Sequence, residues 1–198
     1  MKGRQSSRFL SLRAMEKSDI RKAIKEAKKT LGKEAREEEA RQCFLRLEEM
    51  DCYQRAKNIL AYASLPDELP TGEFLQTASH SKRLFLPRVN GNDLDILPLD
   101  NCAVGAFGIL EPIGDDVHSV KEMDLIIVPA VAFDRQGNRL GRGRGYYDRL
   151  LADAVCPKVG VAFSLQILDS LPTECHDIMM DAVVTATDII AISEPLKL

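Results

Sequence analysis

The sequence contains no long hydrophobic run. Its longest apolar stretch, LIIVPAVAF (Leu125–Phe133), spans nine residues and is interrupted by Pro129, whereas a membrane-spanning helix needs about 20 apolar residues. The first twenty residues are basic and include no apolar segment of the kind found in a secretory signal. We therefore predict a cytoplasmic protein with no membrane partner.

The chain also carries little net charge and few cysteines. A formal net charge of −3 over 198 residues provides no overall attraction to nucleic acid, so any basic site must be local. The five cysteines form no C-x-x-C pair and show no zinc-like spacing with the three histidines. Scattered thiols of this kind are typical of a reducing compartment, and we predict no nucleic-acid partner.

The composition that is present indicates one globular domain. A hydrophobic content of 45% and a charged content of 29% are ordinary values, and we find no internal repeat and no low-complexity linker. We expect a flexible leader at residues 1–16 and a single domain at residues 17–198. Residues 17–50 predict a pair of helices: Ser18 or Asp19 is the expected N-cap of the first, which ends at Gly32. The second helix places these residues at core-facing spacing: Ala40, Phe44 and Leu47.

Short apolar strands alternate with helices and turns after Tyr53. NGND reads as a hairpin turn, and DLIIVPAVAF (Asp124–Phe133) reads as one central strand buried on both faces. Other predicted strands are NILAYA (58–63), RLFLPRV (83–89), KVGVAF (158–163), DAVVTAT and DIIAIS. This alternation predicts an α/β domain, with a mostly parallel central sheet flanked by helices and an N-terminal helical pair.

The stretch GNRLGRGRGYYDRLL (137–151) holds four glycines and four arginines. It follows a buried-type strand and precedes an amphipathic helix, the position at which open α/β sheets bind ligands. Its glycines let backbone N–H groups approach an anion, and its arginines are forked donors for phosphate or carboxylate. A phosphate site is favoured over a purely structural turn and over an arginine–glycine RNA tail, although no Walker A spacing is present.

Three residues after this loop have two interpretations each. Asp148 either favours the start of the helix by its charge or binds magnesium beside the phosphates. Tyr146 and Tyr147 either belong to the core or form a wall of the ligand site, and we expect at least one of them to be packed.

The segment DLIIVPAVAFDRQGNRLGRGRGYYDRLL resembles the strand, turn and phosphate-loop signature of the 5-formyltetrahydrofolate cyclo-ligase family. Four further motifs of that family occur in the expected order: KSDIR (17–21), LPDELPT (65–71), FGILEP (107–112) and LPTECHDIMMDAVVT (171–185). The resemblance implies a three-layer α/β/α fold of the NagB/RpiA/CoA-transferase-like class and a monomer. It implies an ATP- and Mg²⁺-dependent ring closure of 5-formyltetrahydrofolate, a small-molecule substrate, to 5,10-methenyltetrahydrofolate, with release of ADP and phosphate.

The resemblance also implies a role for individual residues. ATP would be bound by Lys17, Arg21, Arg139, Gly141, Arg142, Gly143, Arg144, Gly145, Tyr146 and Tyr147. The folate would be bound by Ala63, Ser64, Glu68, Phe107, Arg142 and Tyr146. Magnesium would be bound by Asp148 and Asp181, and the catalytic residues would be Arg142 and Tyr147. Two alternatives stay open, an ATP-dependent enzyme for another formyl substrate and a non-catalytic nucleotide- or RNA-binding relative.

Overall fold

The computed structural model describes residues 16–105 and 108–193. The predicted leader, residues 1–16, lies outside the described residues except for Glu16, and so does Phe107. The helices are α1 Lys17–Lys28, α2 Lys33–Glu49, α3 Asp51–Arg55, α4 Gly72–Ala78 and α5 Tyr146–Ala152. The strands are β1 Asn58–Leu60, β2 Arg83–Asn90, β3 Asp93–Pro98, β4 Cys102–Val104, β5 Leu110–Pro112, β6 Leu125–Val128, β7 Ala132–Asp134, β8 Arg139–Leu140, β9 Lys158–Val161, β10 Ile167–Leu168, β11 Ala182–Val184 and β12 Ile189–Ala191.

A seven-stranded sheet in the order β12-β11-β9-β6-β1-β2-β3 forms the centre of the domain. The five inner strands run parallel, and the two edge strands, β12 and β3, pair antiparallel with their neighbours. The β2–β3 hairpin turns at Gly91 and Asn92, as the NGND sequence predicts. The prediction of a mostly parallel central sheet is confirmed.

The core forms on both faces of this sheet. One face packs against α2, α3 and α4, where the predicted core residues Ala40, Phe44 and Leu47 are all buried. The other face packs against α5 and includes Phe85, Phe133 and Leu151. Helix α1 adds a third cluster, in which Ile20 and Ile24 contact the residues around β7 and β8. The central sheet therefore lies between two helical layers. Among the described residues, no helix has the length and apolar character required to cross a membrane.

The apolar run at 124–133 is not one strand, which corrects the prediction. Strand β6 ends at Val128, and β7 begins at Ala132 in a separate three-stranded sheet with the order β10-β7-β8. Pro129 has no amide hydrogen for a strand ladder. The side-chain amide of Gln166 instead donates to the carbonyls of Ala130 and Val131, at 2.8 and 2.9 Å. The chain thus leaves the central sheet at the carboxyl end of β6.

The ends of the first two helices also differ from the prediction. Helix α1 has Glu16 at its N-cap, with no side-chain cap, so neither Ser18 nor Asp19 caps it. Asp19 lies in the first turn, where a negative charge complements the helix dipole. Helix α1 ends at Lys28, and Gly32 is the N-cap of α2 rather than the end of α1.

Candidate active site

A cavity of about 620 Å³ lies at the carboxyl ends of the central parallel strands. Its walls include Ala63, which follows β1, Pro129, which follows β6, and residues 139–148 from β8 to α5. Open α/β sheets bind ligands at this edge, and the volume lies in the range of small-molecule sites. The loop that the sequence predicts as a phosphate site therefore lines a cavity that can hold a nucleotide-sized ligand.

Arg139 is the buried cation of this cavity wall, with a side chain only 4% exposed. Its Nη2 donates to Oδ1 of Asp148 at 2.5 Å, and its guanidinium lies 5.6 Å from the ring centroid of Tyr147. Among the described residues, no acceptor reaches its Nε–H. A buried donor without an acceptor costs free energy, so an anion that accepts this hydrogen bond would be favoured.

The glycines of the loop allow a close approach of backbone to Arg139. A Cβ added at Gly141 would lie 2.8 Å from Nη1 of Arg139, so any side chain there would displace the guanidinium. Gly143 has φ 98° and Gly145 has φ 68°, in the left-handed region that favours glycine. The conformation of the loop thus depends on glycine, and it leaves Arg142 and Arg144 exposed along the cavity.

Helix α1 brings two more cations to the same cavity. Lys17 Nζ donates to Oδ2 of Asp177 at 2.8 Å and lies 3.0 Å from Oε1 of Glu174. Burial alone would lower the pKa of Lys17, but the hydrogen bonds to both carboxylates raise it above its ordinary value. Arg21 donates from Nε to the carbonyl of Gly141 at 2.9 Å. The structure therefore brings Lys17, Arg21 and the glycine loop together, as predicted from their motifs.

The opposite wall carries Glu68, whose two carboxylate oxygens each accept one hydrogen bond and keep acceptor capacity for a ligand. Oε2 accepts the N–H of Leu65 at 3.0 Å, and Oε1 accepts Nε of Arg142 at 3.1 Å. Arg142 also donates to Oδ1 of Asp67 at 2.5 Å. Burial alone would raise the pKa of Asp67, but Arg142 and the nearby Lys28 hold it below its ordinary value. Arg142 thus connects the glycine loop to the Asp67–Glu68 segment across the cavity.

Ala63 and Ser64 contribute differently to this wall. Ala63 lines the cavity. Ser64 is not among the lining residues: its Oγ accepts the N–H of Thr71 at 3.2 Å, and its own N–H donates to Oγ1 of Thr71 at 3.0 Å. The hydroxyl of Ser64 therefore holds the turn that carries Glu68.

The two tyrosines that begin α5 both line the cavity and differ in packing. Tyr147 packs against the core cluster of the sheet, and burial raises its pKa well above the ordinary value, so its phenol stays protonated near neutral pH. Tyr146 donates its hydroxyl to the carbonyl of Gly91 at 3.3 Å and lies beneath the guanidinium of Arg149. The expectation that at least one tyrosine is packed is confirmed by Tyr147.

The two predicted metal ligands do not meet in the structure. Asp148 lines the cavity and binds Arg139 through Oδ1. Asp181 lies at the opposite, amino-terminal edge of the sheet, where Oδ2 accepts the N–H of Lys158 and also lies 2.8 Å from its Nζ. The described residues contain no cluster of three or more His, Cys, Asp or Glu side chains that could hold a metal.

Three residues around the site carry no role in the motifs. Asp134 is fully buried and accepts the backbone N–H groups of Gln136, Asn138 and Leu171, each at 2.9 Å. Lys28 and Arg36 donate to carbonyls of the segment that carries Glu68. The turn-forming sequence DRQGN is a signal for Asp134, and helical spacing from Ile20 and Ile24 is a signal for Lys28. No sequence signal separates Arg36 from the surface cations nearby.

The sequence and the fold of this chain are both similar to those of known proteins. A family model described as the 5-formyltetrahydrofolate cyclo-ligase family matches residues 13–186. The 5-formyltetrahydrofolate cyclo-ligase of Haemophilus influenzae is 36% identical over 63% of this chain and 73% of its own length. The mouse enzyme of the same name is 32% identical over 80% of this chain and 89% of its own length. The solved 5,10-methenyltetrahydrofolate synthetase of Aquifex aeolicus is 33% identical and superposes with a TM-score of 0.83 over 93% of this chain and 96% of that one.

Proposed function

The chain belongs to the 5-formyltetrahydrofolate cyclo-ligase family, and on that premise we propose that its cavity uses ATP and Mg²⁺ to close the ring of 5-formyltetrahydrofolate. The product is 5,10-methenyltetrahydrofolate, released with ADP and phosphate. The observation that carries the proposal is the buried guanidinium of Arg139, whose Nε–H lacks an acceptor among the described residues. Arg139 lines the same cavity as Glu68, the carboxylate expected to bind the folate.

The chemistry explains why cations surround this cavity. A formamide carbon is a poor electrophile, so its oxygen must become a leaving group before the second folate nitrogen can attack the carbon. ATP supplies the phosphoryl group for that oxygen. The second nitrogen then bonds to the carbon and loses its proton to solvent, and the carbon–oxygen bond breaks as phosphate departs. An enzyme serves phosphoryl transfer chiefly by positioning the reactants and neutralising charge. Cations and backbone donors of the glycine loop are suited to both tasks.

The residues present fit a polyphosphate. Arg139 offers its unpartnered Nε–H, and Gly141 keeps the backbone close to that guanidinium. Lys17 and Arg21 extend the positive wall from α1, since both line the same cavity. We assign ATP binding to these four residues together with Arg142, Gly143, Arg144, Gly145, Tyr146 and Tyr147.

Asp148 fits magnesium as a single protein ligand. Its Oδ1 accepts from Arg139, whereas no described donor hydrogen-bonds to its Oδ2. Magnesium bound to nucleotides commonly takes one or two carboxylates and fills its remaining positions with phosphate oxygens and water. We therefore propose that Asp148 holds the ion when nucleotide is present. Asp181 lies at the other edge of the sheet and supports no such role.

Glu68, Arg142 and Tyr147 are assigned the steps nearest the folate. The Glu68 carboxylate can accept two N–H groups from the amino-pyrimidine edge of a pterin. Arg142 bridges that carboxylate and the glycine loop, and we assign its charge to neutralising the phosphoryl group as it meets the formyl oxygen. Tyr147 keeps its proton near neutral pH, so we assign it hydrogen-bond donation rather than proton removal. Ala63, Ser64, Tyr146 and Phe107 remain proposed folate contacts, of which Ser64 would act through its backbone.

The proposed function is tested by product formation. The purified protein, given 5-formyltetrahydrofolate, ATP and Mg²⁺, is expected to generate the absorbance of the methenyl product. Asp148→Asn keeps an oxygen for Arg139 but loses the charge, so we expect the Mg²⁺ concentration for half-maximal rate to rise by roughly 10- to 100-fold. Asp153→Asn, an exposed aspartate at the end of the same helix, is the matched control and should leave that concentration unchanged.

Two outcomes separate the parts of this proposal. Absence of product from the wild-type protein, with RNA binding that weakens steeply as salt is added, would contradict the enzyme and favour the nucleic-acid alternative. Normal Mg²⁺ dependence in Asp148→Asn would overturn only the ligand assignment. The monomeric state, the cytoplasmic location and the lack of a nucleic-acid partner remain predictions from the sequence.

A further inference from the structure

Lys28 is a buried cation outside the cavity, and the proposed function assigns it no role. It lies on the inner face of α1 with Ile20 and Ile24, and its residue is 3% exposed. An apolar side chain four residues after Ile24 would complete this face of the helix. A lysine there instead places an ammonium group in a poorly solvated environment, and burial lowers the pKa of Lys28 below its ordinary value.

The buried ammonium has a defined partner. Lys28 Nζ donates to the backbone carbonyl of Asp67 at 2.7 Å, and the Asp67 carboxylate oxygen Oδ2 lies 4.0 Å away. The two residues are 39 positions apart in the chain, so the bond ties α1 to the loop that precedes α4. The hydrogen bond and the nearby carboxylate offset part of the cost of burying the charge.

A second cation holds the same loop from α2. Arg36 donates from Nη2 to the carbonyl of Pro66 at 2.5 Å and to that of Glu68 at 3.3 Å. Its guanidinium also lies 5.1 Å from the ring centroid of Phe163, which fixes the arginine against the core. Three successive carbonyls, at residues 66, 67 and 68, therefore accept hydrogen bonds from two cations of the N-terminal helices.

We propose that Lys28, assisted by Arg36, is a positioning residue that sets where the Glu68 carboxylate meets the folate. Neither cation lines the cavity, so each acts through the backbone that carries Glu68. This inference rests on the proposed function, because it assumes that Glu68 binds the amino-pyrimidine edge. A carboxylate that must accept two parallel N–H bonds tolerates little displacement, so the loop behind it has to be rigid.

The test compares the KM for the folate with the KM for ATP in a variant of Lys28. Lys28→Met replaces the ammonium with an apolar side chain of similar length. We expect the KM for 5-formyltetrahydrofolate to rise roughly 5- to 30-fold, while kcat and the KM for ATP change less than about twofold. Lys29→Met is the matched control, since that lysine is exposed and, among the residues that the structure describes, pairs with Glu26 alone; it should leave all three constants unchanged. Lys28→Arg, which keeps a buried donor and charge, should restore part of the affinity.

Further measurements keep the inference falsifiable. Arg36→Met should also raise the KM for the folate while leaving kcat and the KM for ATP nearly unchanged. If Lys28→Met does not fold, Arg36→Met serves as the test of the positioning role. An unchanged folate KM in a folded Lys28→Met protein, or an equal loss for folate and ATP, would overturn the positioning role. If the wild-type protein forms no methenyl product, the proposed function fails instead. Direct binding of 5-formyltetrahydrofolate, measured by calorimetry on wild type and Lys28→Met, then still reports on the loop.

Discussion

The carboxylate of Asp181 accepts a backbone hydrogen bond at the amino-terminal edge of the central sheet. It accepts the N–H of Lys158 at the start of β9, and Asp124 does the same beside β1, where it accepts the N–H groups of Lys57 and Asn58 at 2.8 Å. Backbone donors that no neighbouring strand reaches need another acceptor. Two aspartates therefore fasten the edge at which the parallel strands begin.

This reading predicts that Asp181→Ala weakens the fold and spares the chemistry. Lys158 would lose the acceptor for its N–H and the partner of its ammonium, and we expect unfolding to become easier by about 1–3 kcal/mol. Urea denaturation measures this loss of stability. Asp188→Ala is the control, because Asp188 is exposed and its ion pair with Arg135 is long, at 3.8 Å. The dependence of turnover on Mg²⁺ should match wild type. If Asp181→Ala kept normal stability but needed more Mg²⁺ for turnover, Asp181 would instead be a magnesium ligand.

Single residues also show where prediction from the sequence stops. Lys17, Arg21, Arg139 and Glu68 carry motif positions, and the structure gathers them around one cavity. Lys28 belongs to no motif; helical spacing places it on the apolar face of α1, four residues after Ile24, but the sequence does not show what its ammonium contacts. Its partner is a backbone carbonyl 39 residues away, and a contact of that kind depends on the packing of α1 against the loop.

At the scale of elements, the hairpin of β7 and β8 delivers the glycine loop to the cavity. Its turn, Asp134–Asn138, follows the DRQGN signal, with Gly137 at φ 86°. The departure of β7 from the central sheet was not predictable from the apolar run alone. Pro129 interrupts the stretch, but this break does not reveal that the chain changes sheets there, and the acceptors freed after Pro129 are satisfied by Gln166 from a later segment.

Asp134 is expected to control the stability and the position of this hairpin. Its fully buried carboxylate accepts three backbone N–H groups and the side-chain amide of Asn138. In Asp134→Ala these donors would be buried without an acceptor, so we expect a loss of about 3–5 kcal/mol in the free energy of unfolding. Urea denaturation and amide hydrogen exchange over residues 135–145 measure the effect. Asp169→Ala, at an exposed aspartate, should be neutral, and a neutral Asp134→Ala would contradict the role.

At the scale of the whole molecule, the parallel sheet explains why the motifs are scattered along the sequence. Segments near residues 17–21, 63–68, 139–148 and 174–177 all line one cavity. The segment after β1 lies there because parallel strands present their carboxyl ends at the same edge, whereas residues 17–21 reach it through the packing of α1 on β7 and β8. The order of strands and helices predicts that edge as the binding site. It does not predict which loops touch, such as the contact of Arg142 with Asp67 and Glu68, since that depends on side-chain packing across the edge.

The stability of the whole domain should respond to pH through His118, which lies outside the cavity. Its Nδ1 lies 2.8 Å from Oε2 of Glu122 and its ring packs edge-on against Phe85. The hydrogen bond to Glu122, with a smaller contribution from Asp116, raises the pKa of His118 above its ordinary value of 6.5, although Arg83 lies 3.4 Å from Nε2. A raised pKa means that the folded state holds this proton more tightly than the unfolded chain.

The stabilisation by His118 is therefore fully present below about pH 6.5 and is lost as the pH rises through the folded-state pKa. We expect His118→Gln to lower Tm by about 1–3 °C near pH 6, a small change because a solvent-accessible ion pair contributes little. The effect should be smaller near pH 8, since the imidazole loses its proton as the pH rises. Thermal unfolding at low ionic strength measures the difference between the two pH values. His80→Gln, at an exposed histidine after α4, is the control. A Tm deficit of His118→Gln that stayed constant or grew as the pH rose would show that the ion pair with Glu122 is not its source.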